Sequence, residues 1–371
     1  MLKSLKIENF RCFPSFEMQQ LGRLNLIVGT NNSGKTSILE AIQLLTCLSH
    51  LEILQILKDK MTERGEYISD KNGEYELDIR HLFYDRMIQE KSEFSIESYP
   101  NYFKDIRFSL THIRDNILIS SGAIGQLIPS DELDLLPDLI GLELNIERRA
   151  NPNGKLKLPL SSDDGLSISH IKGFRRDLRN LPKAQFISLS SLTTEKTIEL
   201  FDQVVLTTEE ELVTKSLQIL EPNIKRIAAK GSERSRQNSS RGNLFVQLAN
   251  QQRIPIGSMG DGMWRMLGLA LAIVNAKDGV LLVDEIDTGL HFTVMSDMWK
   301  MLWETAKRLN VQIFATTHSN DCWQSLADIA NAENPSEDGI TIHRIEKGKP
   351  NSIVFTERQI AIAAERNIEV R

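Results

Sequence analysis

Eight consecutive residues, Gly29-Thr30-Asn31-Asn32-Ser33-Gly34-Lys35-Thr36, follow the pattern GxxxxGK[ST] and describe a cradle for phosphate. Glycines let main-chain N–H groups curl around phosphate oxygens, and the start of a helix adds a positive field. In that arrangement Gly29, Asn31, Asn32, Ser33, Gly34 and Ser37 form the loop and the helix start. Lys35 sets a point charge against the β- and γ-phosphates, and the Thr36 hydroxyl ligates Mg²⁺. Average composition would produce such a match in roughly one chain in a hundred of this length, before a strand and a helix are required around it.

A second pair of residues completes the chemistry. Val280-Leu281-Leu282-Val283-Asp284-Glu285 is an apolar run that delivers two carboxylates at its end. Successive strand residues point in different directions and can take different tasks. Asp284 would hold Mg²⁺, and Glu285 would orient and deprotonate an attacking water. Alone, a strand ending in polar residues is commonplace; beside a phosphate loop it is the expected other half of one site.

Two further stretches fit the same site. Ser258-Met259-Gly260-Asp261-Gly262 precedes an apolar helical segment, and small residues at a helix start leave N–H groups facing outward as an anion site. One phosphate loop does not need a second such site for its own nucleotide. A γ-phosphate carried by a second copy of the chain would use it. His318, in Ala315-Thr316-Thr317-His318-Ser319, follows another apolar run and could donate to that phosphate. A lone histidine is more often structural, and its position rather than its type carries the assignment.

The elements that must position these groups are legible in outline. Residues 24–28 read as a buried strand, and residues 35–48 as a helix with Ile38, Leu39, Ile42, Leu45 and Leu48 on one face. Short alternating segments between residues 94 and 160, separated by polar turns, predict antiparallel strands. Residues 208–220 predict an amphipathic helix. Residues 225–241, rich in Ser, Asn, Gly and Arg, predict a flexible basic loop. Residues 263–276 are apolar almost all round and predict a buried helix. Strands at 280–283 and 311–315 alternate with a helix at 292–309, which indicates an α/β domain with a largely parallel sheet. The ATPase core is expected over 1–90 and 240–371, with a β and helical insertion over 91–239.

Composition bounds the class. The chain has 371 residues, 41% hydrophobic and 25% charged, with formal net charge −6. Those values describe a water-soluble globular protein with ample core, and argue against wrapping nucleic acid with the whole surface. Three scattered cysteines, Cys12, Cys47 and Cys322, lack any CxxC pair and point to a reducing compartment. The early charges at Lys3, Lys6 and Glu8 do not suit a signal peptide, and the longest apolar run, 266–274, is too short for a bilayer. A cytoplasmic location without membrane contact is expected.

Taken in order, Ile7-Glu8-Asn9-Phe10-Arg11-Cys12-Phe13, the phosphate loop, the 258–262 segment, Val283-Asp284-Glu285 and Thr317-His318-Ser319 resemble the ABC-type ATPases of the SMC, RecF and OLD group. The nearest likeness is to OLD-like AAA proteins. The resemblance implies an ABC-type P-loop NTPase: a mostly parallel sheet flanked by helices, an antiparallel β lobe and a helical insertion. It gives Lys35 and Thr36 the Walker A roles, Asp284 and Glu285 the Walker B roles, and His318 the switch role. Ser258 and Gly260 would contact ATP held by the other protomer, residues 287–291 would form the interfacial D-loop, and Arg11 would lie near the nucleotide. No residue is assigned as the Q-loop glutamine, Gln185 being the one position weighed. Two departures matter. No sustained heptad suggests an SMC-like coiled coil, and about fifty residues follow His318, too few for the TOPRIM domain of OLD nucleases.

The resemblance therefore implies an ATPase with ATP and Mg²⁺ that dimerises around nucleotide. It would act as a switch or scaffold for a separate effector from a neighbouring gene, such as a TOPRIM-type nuclease in phage defence. The alternative is a RecF-like DNA-binding repair ATPase. It would use Lys225, Arg226, Lys230, Arg234, Arg236 and Arg241, or the cluster Lys172, Arg175, Arg176 and Arg179. Both clusters are equally consistent with a solvated surface. A P-loop kinase or GTPase fits less well, since no NKxD-like motif is evident.

Overall fold

The structure is a computed structural model that describes residues 1–47, 49–69, 75–88, 92–100, 105–112, 118–119, 126–127, 140–147, 155–161, 165–168, 184–188, 192–229, 244–330 and 338–370. Its centre is a six-stranded sheet. The strands lie in the order Ala184–Ile187, Val280–Val283, Gln312–Thr316, Leu24–Gly29, Ile340–Ile345, Ile353–Thr356. The first five run parallel and the last antiparallel. Strand Leu24–Gly29 is buried along its whole length, as a strand covered on both faces must be.

Side-chain alternation divides the core in two. Leu24, Leu26 and Val28 join the buried faces of helices Asp261–Asn275, Met295–Leu309 and Asn320–Ala330 on one side of the sheet. Ile27, Leu282 and Phe314 face the other way, against helix Lys35–Thr46 and a second, antiparallel sheet. That second sheet runs Lys155–Pro159, Ile140–Glu147, Asp105–His112, Glu93–Tyr99, Ser4–Phe10, Phe13–Met18. The parallel sheet, the flanking helices and the antiparallel lobe are those expected. The strands cross the expected division at residue 91 in both directions. Ser4–Phe10 and Phe13–Met18 complete the antiparallel sheet, and Ala184–Ile187 forms one edge of the parallel one.

Other elements differ from expectation for identifiable reasons. The loop expected over 225–241 begins as a strand, Ile224–Ala229, paired with Leu244–Leu248. A register shift between Ile224 and Arg226 puts Ile224 and Ile227 on the same buried face, three residues apart, so no period-two pattern shows in the sequence. Lys225 and Arg226 are exposed on that strand, while Lys230, Arg234, Arg236, Arg241 and the cluster from Lys172 to Arg179 lie outside the described residues. Helix His50–Arg64 is an addition. It starts at Ser49, whose side chain accepts from the Glu52 N–H, and ends at Gly65. Gln185 sits within its strand, paired with Leu281, rather than at the strand's end. Helix Lys35–Thr46 buries Ile38, Leu39, Ile42 and Leu45 as expected; Leu48 lies outside the described residues. Among the described residues no helix is long and apolar enough to cross a membrane.

The strand Ile340–Ile345 carries a fully buried histidine. His343 has Nε2 3.0 Å from Thr341 Oγ1 and Nδ1 3.2 Å from Ser352 Oγ. Burial lowers its pKa to about 3. Below about pH 6.5 the unfolded chain binds a proton at this residue that the folded chain refuses, so stability falls as pH drops from 6.5 towards 3. Between pH 7 and pH 5 the wild type should lose about 2 kcal/mol more than His343→Leu in denaturant unfolding. Equal losses in the two proteins would remove His343 as the cause.

Candidate active site

The sheet order fixes the site before any side chain is considered. Strand Gln312–Thr316 lies between the phosphate-loop strand Leu24–Gly29 and the carboxylate strand Val280–Val283, and all three run parallel. Their carboxyl ends therefore open on one edge, where ligands of α/β sheets bind. Gly29, Asp284 and Thr316 leave the sheet side by side.

The loop closes around Gly34. This residue has φ 99°, and a Cβ there would fall 2.3 Å from Phe13 Cζ and 2.7 Å from Cys12 Sγ. Only glycine satisfies both the left-handed backbone and the contact. Thr30, Asn31 and Asn32 are exposed, whereas Ser33 and Lys35 are buried. Ser37 Oγ lies 3.9 Å from Cys12 Sγ on the first turn of the helix. The Lys35 ammonium rests on the loop's own carbonyls, 2.9 Å from Gly29 O and 2.8 Å from Thr30 O. Burial lowers its pKa, against the pull of Asp284 and Glu285. Ser33 Oγ is buried with no hydrogen-bond partner. A polyphosphate fits these groups: it offers the ammonium charged acceptors in place of neutral ones, and the hydroxyl an acceptor.

Asp284 is held from two sides. Thr36 Oγ1 donates to its Oδ2 at 3.0 Å, and Thr316 Oγ1 donates to its Oδ1 at 2.5 Å. The Thr316 hydroxyl also accepts from the Glu285 N–H at 2.8 Å. Glu285 has φ 48°, an uncommon backbone for a residue with a long side chain, and so breaks the strand direction where its carboxylate emerges. A buried guanidinium lies under this turn: Arg265 Nη2 donates to Asp284 O at 3.0 Å and Glu285 O at 2.8 Å. Thr317 Oγ1 donates to Asp287 Oδ1 at 2.5 Å, which ties residue 287 to the histidine loop. Burial and the Lys35 ammonium push His318 below its ordinary pKa, against the pull of Glu285, Asp287 and Asp284, so it is neutral at pH 7.

Lys35, Thr36, Asp284, Glu285 and His318 thus converge from stretches far apart in the chain. Ser258 and Gly260 are exposed. Ser258 Oγ donates to Pro255 O at 2.7 Å, and Gly260 precedes helix Asp261–Asn275 with φ 95° and ψ 166°, a conformation essentially restricted to glycine. No side chain caps that helix, and a Cβ on Gly260 would meet nothing within 4 Å. The 287–291 segment packs beside it, since a Cβ on Gly262 would lie 3.1 Å from Gly289 O. Arg11, expected near the nucleotide, precedes Cys12, which packs against Gly34 of the loop, and its guanidinium is held in ion pairs. Its Nε is 2.8 Å from Glu40 and its Nη1 2.9 Å from Glu66, with Arg64 also paired to Glu40. That cluster ties Glu40 of the phosphate-loop helix to Arg11 and to Arg64 at the end of helix His50–Arg64. Thr316 and Arg265 are the two site residues that sequence reasoning missed. The first stood in the quoted Ala315-Thr316-Thr317-His318-Ser319 run, and a basic residue inside an apolar helix was the signal for the second.

Comparison with known proteins places this geometry in a family. A family model described as "AAA domain, putative AbiEii toxin, Type IV TA system" matches residues 24–321. The chain belongs to that AAA family. This AAA protein is an ATPase. It is 23% identical over 347 residues to an "ATP/GTP phosphatase" of Helicobacter pylori, covering 86% of each chain. It is 51% identical over 45 residues to an "OLD nuclease" of Thermus scotoductus, which is 12% of this chain and 8% of that one. An SMC head bound to the C-winged helix domain of ScpA aligns with 96% of this chain and 98% of its own, at 12% identity and TM-score 0.48.

Removing the hydroxyl that joins Asp284 to Glu285 should disturb turnover more than binding. Thr316→Val is expected to lower kcat roughly 10- to 100-fold, the scale of one hydrogen bond to a charged group. Nucleotide affinity, measured by fluorescent-analogue titration, should stay within about threefold of wild type. An unchanged kcat would remove Thr316 from the site.

Proposed function

We propose that this AAA ATPase closes as a homodimer around Mg²⁺ and ATP, and that the closed state is a signal to a separate effector protein. The observation that carries the reading is the exposed helix start at Gly260, which no side chain caps and which lies beside Gly289. The N–H groups of a helix start favour an anion, and the γ-phosphate held by a second copy is an anion of suitable charge.

In this reading Lys35 binds the β- and γ-phosphates, and Thr36 with Asp284 provides the oxygen ligands that a hard divalent cation takes. Mg²⁺, when bound, neutralises charge that develops on the phosphate oxygens. Glu285 orients the attacking water and accepts its proton, and neutral His318 donates a hydrogen bond towards the γ-phosphate. Ser258 and Gly260 act in trans, with residues 287–291 at the dimer interface. The effector reading is supported by the short stretch shared with an OLD nuclease and by the toxin named in the family description. A nuclease partner supplied by another polypeptide, working in phage defence, is its concrete form. The Helicobacter pylori relative's name leaves GTP as a second substrate to be compared with ATP.

Glu285→Gln should keep ATP bound while hydrolysis falls at least ~100-fold. With saturating ATP and Mg²⁺ it should run as a dimer in light scattering. A monomer under those conditions would sink the sandwich. Ser258→Arg should abolish that dimer while leaving nucleotide affinity unchanged, and a normal ATPase rate in this variant would refute the trans role of the 258–262 segment.

A further inference from the structure

Arg265 is an unusual residue for its surroundings. It lies in the second turn of helix Asp261–Asn275, between Trp264 and Met266, and is 3% exposed. Taking a guanidinium out of water is costly, and an apolar side chain of similar volume at such a position is often as stable or more so. The fold alone therefore gives little reason for a charge here. What the charge meets is the turn that carries the two carboxylates. One nitrogen, Nη2, donates to both Asp284 O and Glu285 O, while Nε and Nη1 are buried without hydrogen-bond partners. The nearest opposing charges are those of Asp287, Asp284 and Glu285.

The geometry of Glu285 shows what such a contact can do. Its φ of 48° is costly for a residue with a Cβ, on the order of 1–3 kcal/mol, and persists only where neighbours over-determine it. The main-chain partners are the Thr288 N–H, which donates to Glu285 O at 3.1 Å, and Thr316 O, which accepts from the Ile286 N–H at 3.0 Å; two side chains add to them. Thr316 Oγ1 takes the N–H of Glu285, and Arg265 takes its carbonyl and the one before it. Without Arg265, Asp284 O loses that donor and Glu285 O keeps the Thr288 N–H, so the turn could relax towards an extended backbone and swing the carboxylate away from Lys35 and His318.

We propose that Arg265 is a positioning residue for ATP hydrolysis: it clamps the Asp284–Glu285 turn in the left-handed conformation from which the Glu285 carboxylate addresses the attacking water. The inference rests on the reading of Glu285 as the general base. It also joins the exposed helix start to the site, because the helix that bears Arg265 begins at Gly260 only five residues earlier. A shift of that helix start is thereby felt at the catalytic turn.

The test is a double-mutant cycle on the full chain with Arg265→Met, Glu285→Gln and the combination, read as kcat, nucleotide affinity and Tm. Arg265→Met should fold with a Tm near wild type and bind nucleotide within about threefold, while kcat falls about 30-fold, the scale of losing two charge-assisted hydrogen bonds. In the Glu285→Gln background the same substitution should cost less than about threefold, because there is no longer a base to position. Arg265→Lys, which keeps a donor cation, should recover part of the rate; if Arg265→Met does not fold, Arg265→Lys carries the same cycle. An unchanged kcat in Arg265→Met, a full additional loss in the Glu285→Gln background, or a parallel loss of nucleotide affinity would each overturn the proposal. A wild-type rate in Glu285→Gln would instead bring down the reading of Glu285 on which the proposal stands.

Discussion

The Thr36 hydroxyl and the Asp284 carboxylate meet at 3.0 Å although 248 positions separate them in the chain. That contact exists because the parallel sheet delivers Gly29 and Asp284 to the same edge with Thr316 between them. Each side chain at the site depends on this registration. A loop on one strand and a carboxylate on another would be separate surface features if the intervening strand were displaced. The two layers of core, one on each face of the sheet, supply the rigidity that holds the three strand ends level.

Electrostatics explain how carboxylates can gather where phosphates bind. Asp284, Glu285 and Asp287 would repel one another and any phosphate. Lys35 and Arg265 offset them, and hydroxyls from Thr36, Thr316, Thr317 and Thr288 point at the carboxylate oxygens. The cations do different work. Arg265 is buried on main-chain carbonyls and keeps a fixed place, as a planar guanidinium can. Lys35 rests on two loop carbonyls within reach of the strand edge, and exchanging them for phosphate oxygens requires only a rotation of a flexible stem.

The parts of the site legible in the sequence were those that a contiguous run specifies. The loop from Gly29 to Thr36 and the run from Val280 to Glu285 each contain strand, turn and functional group together, so local pattern sufficed. Buried strands at 280–283 and 24–28 were visible as short, mainly apolar runs bounded by turn signals. Elements whose burial is set by distant partners were not. Ala184–Ile187 is four residues long and owes its place to pairing with Val280–Val283. Helix His50–Arg64 buries Ile53, Leu54, Leu57 and Met61, while Leu51 and Ile56 lie outside that buried set and blur the stripe in the sequence. Arg11 was placed near the nucleotide by resemblance alone, and the ion pairs with Glu40 and Glu66 could not be read from spacing. Arg265 showed only as a basic residue in an apolar helix; its role did not, because its partners are carbonyls, which carry no sequence signature.

The central claim is that the phosphate loop and the Asp284 turn enclose one metal–nucleotide complex. Anomalous diffraction from crystals grown with Mn²⁺ and a non-hydrolysable ATP analogue tests it most directly. The account predicts a strong manganese peak coordinated by Thr36 Oγ1, adjacent to the Asp284 carboxylate and bridging to the nucleotide phosphates. A manganese–nucleotide complex bound elsewhere on the chain, with the Thr36–Asp284 hydrogen bond undisturbed, would contradict it.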